Sequence, residues 1–169
     1  MAFKTILLVM ITFREHLRED IPFRVKWLNN HKAVLYAIHD PESGTTLEKQ
    51  ELWFKEYEEK LKKGIKKFFT ILSDNECIGF MGLSHINKEV GNAKVFILIG
   101  EDEYRGRGIG RTSMDYLINF AFKDLGLKTL HLDVDKMNTP AINLYEKVGF
   151  QELGMDGKFI LMTLSKNAE

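Results

Sequence analysis

The sequence predicts a single mixed domain, α/β or α+β, built on a mixed sheet. Three observations predict it. Strand-like and helix-like patterns alternate along the chain. The run "AKVFILI" is apolar on both faces, which is typical of a central strand. The glycine-rich stretch "YRGRGIG" lies between that run and a helical pattern, so it forms a strand-to-helix turn.

The first half of the chain is predicted to be one strand followed by two helices. We expect a strand over Thr5–Phe13 and a helix over Arg18–Asn29, where Phe23 and Trp27 stand four apart. Residues 30–44 are predicted to be irregular and to end in the turn-like "DPESG". The next helix is predicted over residues 45–63, capped by Thr45 with Glu48 and ended by Gly64. Its apolar face carries Leu47, Phe54, Tyr57 and Leu61.

The second half alternates strands and helices. "FFTIL" and "IGFMGLSHI" flank "SDNE", which predicts a hairpin. After the central strand come a helix over Gly108–Leu125, the strand "LHLDV" and a short helix over Pro140–Val148, for which Thr139 is the predicted cap. "FQELG" and "FILMTL" are predicted to close the sheet.

Length and composition set the broad class. The chain has 169 residues, of which 44% are hydrophobic, so we expect one domain over residues 1–169 with a sizeable core. The 24 basic and 24 acidic residues balance, which disfavours a general nucleic-acid or membrane partner. The early run "ILLVMITF" is too short to span a membrane. Cys77 is the one cysteine and cannot form an internal disulfide, so we expect a cytoplasmic protein.

The glycine turn predicts a site for a phosphate-bearing ligand. Gly106, Gly108 and Gly110 leave backbone N–H groups accessible at a helix N-terminus, whose partial positive charge attracts anions. Arg105, Arg107 and Arg111 add positive charge. The string does not fit a P-loop or a dinucleotide-binding fingerprint, so neither ATP nor NAD is indicated. Taken alone, the turn is better explained as a glycine-rich loop with solvated arginines.

Two motifs together resemble the GCN5-related N-acetyltransferases. "RGRGIG" is similar to the R/Q-x-x-G-x-G/A signature of that family, with Arg105, Gly108 and Gly110 at its fixed positions. About thirty residues later, "VDKMNTPAINLYEKVGF" resembles its strand–Asn–helix–Tyr–Gly-Phe segment. The N-terminal segments "LRED", "KWLNN" and "ELWF" resemble the branch of ribosomal-protein-alanine and spermidine acetyltransferases.

The resemblance implies a cofactor site and a fold. It implies a mostly antiparallel sheet with helices on both faces, whose central strands splay apart to hold acetyl-CoA as cosubstrate. Backbone groups of the central strand would bind pantetheine, and the glycine turn would bind pyrophosphate. The implied contacts are Leu98, Ile99, Gly100, Arg105, Gly106, Arg107, Gly108, Ile109, Gly110, Arg111 and Asn138. For Asn138, a plain role as the turn residue before a helix is an equal alternative.

Tyr145 is the implied catalytic residue. In many relatives a tyrosine at this position protonates the departing thiolate. Tyr145 shares a helix face with Ala141, Leu144 and Val148, so an ordinary core aromatic is the alternative. The base is open. Lys94 occupies the position where some relatives carry a glutamate, and the candidates that replace it are Glu101, Glu103, His131, Asp133 and Asp135. Although His131, Asp133 and Asp135 alternate on one strand face, we expect no metal.

The resulting functional expectation is an acetyl-CoA-dependent N-acetyltransferase. Its acceptor would be a primary amine, either a small-molecule polyamine or a peptide N-terminus, that attacks the thioester directly in a ternary complex. An amino sugar is the alternative acceptor. A CoA-binding module without turnover is the alternative of another class. A homodimer is compatible with these expectations.

Overall fold

The computed structural model describes residues 9–35 and 44–167 of the chain. Within these ranges one sheet contains the strands β1 Ile11–Glu15, β2 Lys67–Ser73, β3 Glu76–Asn87, β4 Asn92–Ile99, β5 Thr129–Asp135, β6 Gln151–Asp156 and β7 Phe159–Ser165. The helices are α1 Ile21–Leu28, α2 His31–Val34, α3 Leu47–Lys62, α4 Ile109–Asn119 and α5 Thr139–Lys147. A π-helical turn, Phe120–Asp124, extends α4.

The sheet has the strand order β1-β2-β3-β4-β5-β7-β6. Every neighbouring pair is antiparallel except β4 and β5, which are parallel. The predicted mixed fold, with its central "AKVFILI" strand and its mostly antiparallel sheet, is therefore confirmed. The β2–β3 hairpin turns at Asp74 and Asn75, whose φ angles of 47° and 70° suit a two-residue turn that follows the twist of the strands.

Helices cover both faces of the sheet. Along β4, Ala93 and Val95 pack in one apolar cluster with α4 and Tyr145 of α5, whereas Leu98 packs with Trp27 of α1. Phe96 packs against the α1 and α3 side as well. Because alternate residues of a strand point to opposite faces, α4 and α5 lie on one face and α1 and α3 on the other.

Several predicted boundaries need correction. The helix predicted from Thr45 begins at Leu47, because Thr46 is the residue whose hydroxyl accepts a hydrogen bond from the Lys49 N–H, at 3.2 Å. Leu47 is exposed, outside the apolar face. Asn138, not Thr139, caps α5.

Other differences concern the N-terminal region. The first strand lies at Ile11–Glu15 and the first α-helix begins at Ile21, after a 3-10 turn over Arg18–Asp20. The segment predicted to be irregular contains the short helix α2. Residues 5–8 of the predicted strand and residues 40–43 of the predicted turn lie outside the described residues.

Candidate active site

The two central strands part after a short stretch of pairing. β4 and β5 pair only at Asn92–Thr129, Ala93–Leu130 and Lys94–His131. Beyond these pairs β4 continues to Ile99 against β3, and β5 continues to Asp135 against β7. A gap therefore opens between their C-terminal halves, in the sheet itself. In an α/β sheet this end of parallel strands is where ligands bind.

The direction of the β4 backbone at the gap follows from the hydrogen bonds of its neighbours. The Gly100 N–H donates to the Ile78 carbonyl of β3 at 2.9 Å. Because hydrogen-bonded and non-bonded pairs alternate in an antiparallel ladder, Leu98 also faces β3 with its backbone, and Ile97 and Ile99 face the gap. Of the predicted pantetheine contacts, the structure thus directs Ile99 into the gap and the N–H of Gly100 away from it. The Ile97 backbone joins Ile99 there, although the sequence did not single it out.

The glycine turn leads directly into α4. Gly108 is the N-cap with a φ of 80°, and Gly106 has a φ of 73°, so both adopt the left-handed region that favours glycine. A Cβ built on either would meet nothing within 4 Å, so the turn is open to solvent. The first internal bond of α4 is donated by the Thr112 N–H. The N–H groups of residues 109–111 precede it and have no acceptor within the helix.

The three arginines of the turn differ in their contacts. Arg105 is half-buried, forms an ion pair with Asp102 and donates from Nη1 to the Ile99 carbonyl at 3.2 Å. It therefore braces the loop from within. Arg107 is exposed, with its guanidinium 5.7 Å from the centre of the Tyr104 ring. Arg111 is also exposed and lies 3.9 Å from Asp115. Arg107 and Arg111 are the cations directed towards solvent beside the turn.

Helix α5 packs against the start of α4. A Cβ at Gly110 would lie 3.1 Å from Leu144 Cδ2, so glycine permits this approach of the two helices. The Asn138 side chain accepts from the Ala141 N–H at 3.3 Å and so acts as a helix cap, one of its two predicted roles. Tyr145 is 7% exposed, with its ring edge-on to Phe150 at 5.8 Å. Burial, assisted by the Asp133 carboxylate, raises the pKa of Tyr145 to about 12. The hydroxyl is therefore protonated at neutral pH.

The candidate bases lie in two places. His131 and Asp133 lie on β5, where Lys94 of β4 forms an ion pair with Asp133. Burial and the nearby Lys94 and His85 lower the pKa of His131 against the opposing effect of Asp133, so its imidazole is neutral at neutral pH. Asp135 binds the Met137 N–H at 2.9 Å and Lys158 Nζ at 3.1 Å.

Glu101 lies at the end of β4. Its Oε1 accepts from Lys26 Nζ at 2.6 Å and from Trp27 Nε1 at 2.8 Å. Burial pushes the pKa of Glu101 up, but these bonds outweigh it and hold the pKa below its usual value. Glu103 is exposed in the 3-10 turn Asp102–Tyr104. Among the described residues no cluster of three or more His, Cys, Asp or Glu side chains could hold a metal ion.

The comparison with protein families identifies the fold and the chemistry. The model of the GNAT acetyltransferase family matches residues 29–150, which include the parted strands, the glycine turn and α5. The chain belongs to the GNAT family. The expected family resemblance is thereby confirmed.

Relatives of this GNAT protein are N-acetyltransferases. The spermidine N(1)-acetyltransferase of Vibrio cholerae is 30% identical over 145 residues, which are 85% of this chain and 80% of that protein. The SPbeta prophage-derived uncharacterized N-acetyltransferase YokL of Bacillus subtilis is 27% identical over 124 residues, 73% of this chain and 66% of YokL. The crystal structure of the V. cholerae spermidine N-acetyltransferase in complex with CoA and spermine superposes with a TM-score of 0.80 at 25% identity, and covers 92% of this chain and 95% of that one. This GNAT protein is an N-acetyltransferase.

No helix in the described parts of this GNAT chain is long and apolar enough to cross a membrane.

Proposed function

We propose that this enzyme transfers the acetyl group of acetyl-CoA to a primary amine of a polyamine, in a complex that holds both substrates. The observation that carries the proposal is the parting of β4 and β5 beside the open N-terminus of α4. An elongated thiol cofactor with a pyrophosphate at one end matches both features. The acetyl thioester supplies the activated acyl group, and the chain supplies binding, orientation and proton transfer.

The glycine turn is the proposed phosphate site. The N–H groups of Ile109, Gly110 and Arg111 point out of the first turn of α4, where the helix dipole favours an anion. Gly106 and Gly108 place no Cβ over the turn, so phosphate oxygens reach the backbone. Arg107 and Arg111 add positive charge at the rim. Arg105 contributes to the same site indirectly, since it fixes the loop through Asp102 and the Ile99 carbonyl.

The gap is the proposed pantetheine and thioester site. The Ile97 and Ile99 backbone groups facing it supply amide partners for pantetheine and an N–H donor for the thioester oxygen, on which negative charge develops during attack. Tyr145 is the proposed general acid, which gives its proton to the leaving sulfur. The hydroxyl carries its proton at neutral pH, as a general acid requires.

The polyamine is supported by similarity and by the chemistry of β5. The V. cholerae relative that matches 85% of the chain is a spermidine N(1)-acetyltransferase. In this chain Asp133 and Asp135 each bind the alkylammonium group of a lysine, Lys94 and Lys158. These contacts support the proposal, because an alkylammonium group is also what a polyamine carries.

The proposal is tested with a panel of acceptors. Spermidine, spermine, alanine- and serine-initiated peptides and amino sugars are each incubated with acetyl-CoA, and the release of free thiol is measured. We expect polyamines to give the highest kcat/KM, with a pH–rate profile that rises through neutrality as the amine loses its proton. Turnover confined to peptides or to amino sugars would show that a polyamine is not the acceptor. It would leave the proposed acetyl transfer from acetyl-CoA in place. If CoA binds but no amine is acetylated, the chain is a CoA-binding module and the proposal is wrong.

A further inference from the structure

The C-terminal end of α1 holds the end of β4. Trp27 is fully buried, and its indole N–H donates to Glu101 Oε1 at 2.8 Å. Its ring lies directly against Gly100, where a Cβ would come within 2.1 Å of Trp27 Cγ. Since no side chain fits there, Gly100 is required by this contact and not by its backbone conformation. The indole thus packs on the main chain that ends the central strand.

The indole is itself fixed by its neighbours. Its ring stacks on Phe23 of α1 at 5.7 Å and on Phe80 of β3 at 6.1 Å. Leu98 packs in the same apolar cluster. Aromatic packing of this kind restricts the ring to one orientation. The N–H of Trp27 therefore points consistently at Glu101.

A second side chain holds the next stretch of backbone. Asn30, just beyond α1, donates from Nδ2 to the Gly100 carbonyl at 3.2 Å and to Asp102 Oδ1 at 2.7 Å. From the opposite side Arg105 pairs with the same Asp102 and donates to the Ile99 carbonyl. Residues 99–102 are therefore fixed by α1 on one side and by the glycine turn on the other.

We infer that Trp27 and Asn30 are positioning residues for acetyl transfer. They fix the backbone that presents the Ile99 N–H to the thioester, and Glu101 serves as the anchor of Trp27, not as the general base. The inference rests on the proposed function, because it assumes that the thioester lies beside Ile99. The contacts themselves do not depend on that assumption, which makes the two separable by experiment.

Trp27→Phe tests the positioning role. The substitution keeps an aromatic ring in the cluster and removes the donor to Glu101. With activity measured well below the melting temperature of the variant, we expect kcat to fall about tenfold, since an imprecisely placed oxyanion donor loses part of its effect, while the Kd of CoA stays within about threefold. A purely structural tryptophan would lower the melting temperature and leave kcat of the folded enzyme unchanged. A kcat within twofold of wild type would overturn the inference.

Amide hydrogen exchange provides a readout without turnover. In the ligand-free protein, Trp27→Phe and Asn30→Ala should accelerate exchange at residues 97–101 relative to the β2–β3 hairpin, because a local anchor is lost. Trp53→Phe, the same change in α3, is the matched control. It should leave residues 97–101 as protected as the hairpin. Equal acceleration everywhere in the Trp27 variant would reduce Trp27 to a general core residue and overturn the inference.

Glu101→Gln distinguishes between two roles of Glu101, the anchor of Trp27 and the general base. Glutamine keeps an oxygen that accepts from Trp27, so we expect kcat to stay within about threefold and the pH–rate profile to keep its shape. If Glu101 were the general base, kcat of the variant would fall by roughly 10²-fold or more, and the pH–rate profile would lose its rising limb. If wild type acetylates no amine, the proposed function fails. Accelerated amide exchange confined to residues 97–101 in the Trp27→Phe and Asn30→Ala variants would then still show that these side chains anchor the backbone. Unchanged exchange at these residues would show that they do not.

Discussion

Two regions of the molecule place polar groups by different means. One is the proposed cofactor side, which we call the cofactor side and which comprises the glycine turn, the gap and the α4–α5 face of the sheet. The other is the face under α1 and α3. On the proposed cofactor side, the glycine turn and the parted strands present backbone N–H and C=O groups, and the core that packs against them is apolar. Under α1 and α3, the polar groups are side chains, of which four come from residues 14–24 and one from β2. We call the buried His16, Asp20, Arg24 and Thr70, together with the partly exposed Arg14, the buried polar cluster.

Asp20 is the centre of the buried polar cluster. It is fully buried and accepts two bonds from Arg14, at 2.6 and 2.7 Å, and one from the Thr70 hydroxyl at 2.7 Å. Burial pushes the pKa of Asp20 up, but the bonds from Arg14, Leu17 and Thr70 outweigh it and keep the pKa below its usual value. The carboxylate thus stays ionised inside the protein.

The ionised Asp20 determines the hydrogen bonds of the neighbouring members of the cluster. Because the Thr70 hydroxyl donates to Asp20, its oxygen accepts from His16 Nδ1, 2.8 Å away. Burial lowers the pKa of His16 to about 3, so its imidazole is neutral and, with the proton on Nδ1, its Nε2 is unprotonated. Arg24 lies between two rings, with its guanidinium carbon 3.6 Å from the centre of Trp53 and 4.3 Å from Phe80. The comparison teaches that the cofactor side depends on glycine and backbone geometry, whereas the opposite side depends on matched buried charges.

The largest effect is expected from Gly108→Asp. It strains a residue with a φ of 80° and adds a carboxylate where phosphate would bind, so we expect no stabilisation by CoA in a thermal-shift assay. Gly64→Asp is the matched control, because Gly64 also has a positive φ of 69° and open space around it but lies at the end of α3. We expect Gly64→Asp to have a lower melting temperature than wild type and to keep its stabilisation by CoA. Equal shifts in both variants would remove the phosphate assignment.

Asp20→Ala is expected to act on stability and not on cofactor binding. Removing the carboxylate leaves Arg14 and Thr70 without their buried partner and should lower the free energy of unfolding by about 3 kcal/mol. The Kd of CoA should stay within twofold. The control is Glu51→Ala, which breaks an exposed pair with Arg18 and should cost no more than about 1 kcal/mol. A loss of CoA affinity in Asp20→Ala would show that the two sides are coupled.

Tyr145→Phe separates the acid from a core aromatic. The ring and its packing are kept, so we expect kcat to fall by roughly 10²-fold with little change in CoA affinity or unfolding free energy. Tyr116→Phe is the control, since Tyr116 is 38% exposed and stacks on Phe13, away from the gap. It should retain wild-type kcat. Unchanged turnover in Tyr145→Phe, with chemistry limiting the rate, would return this tyrosine to the core.

The smallest effect is the dependence of stability on pH. Burial, with Arg24 and Arg14 nearby, lowers the pKa of His16 from 6.5, against the opposing effect of Asp20. The unfolded chain then gains a proton below pH 6.5 that the folded chain does not bind, so the contribution is present above that pH and is lost as pH falls. We expect the free energy of unfolding to fall by about 1–2 kcal/mol between pH 6.5 and pH 5 because of His16. Denaturant unfolding of wild type and His16→Gln measures it, and identical pH slopes would contradict the assignment.

Much of the cofactor side could be predicted because its signals are local. The glycine turn and the helix that follows it each depend on a few consecutive residues, whereas the cap of α5 was predicted at Thr139 and lies at Asn138. The roles of Tyr145 and of the turn were inferred from motifs and stay predictions. Arg105 shows the limit of such inference, since its contacts with Asp102 and the Ile99 carbonyl make it a brace within the loop.

The sequence by itself determined the order of elements apart from α2, the central strand, the glycine turn and the family, because periodicity and motifs are properties of neighbouring residues. Only the tertiary structure decided which β4 residues face the gap, that Trp27 packs on Gly100, and that Asp20 gathers Arg14, His16 and Thr70. The facing directions depend on strand register. The Trp27–Gly100 and Asp20–Thr70 contacts join residues tens of positions apart, whereas Arg14 and His16 are near Asp20 in sequence. A shift of one residue would reverse every facing direction, and local sequence carries no signal for such contacts.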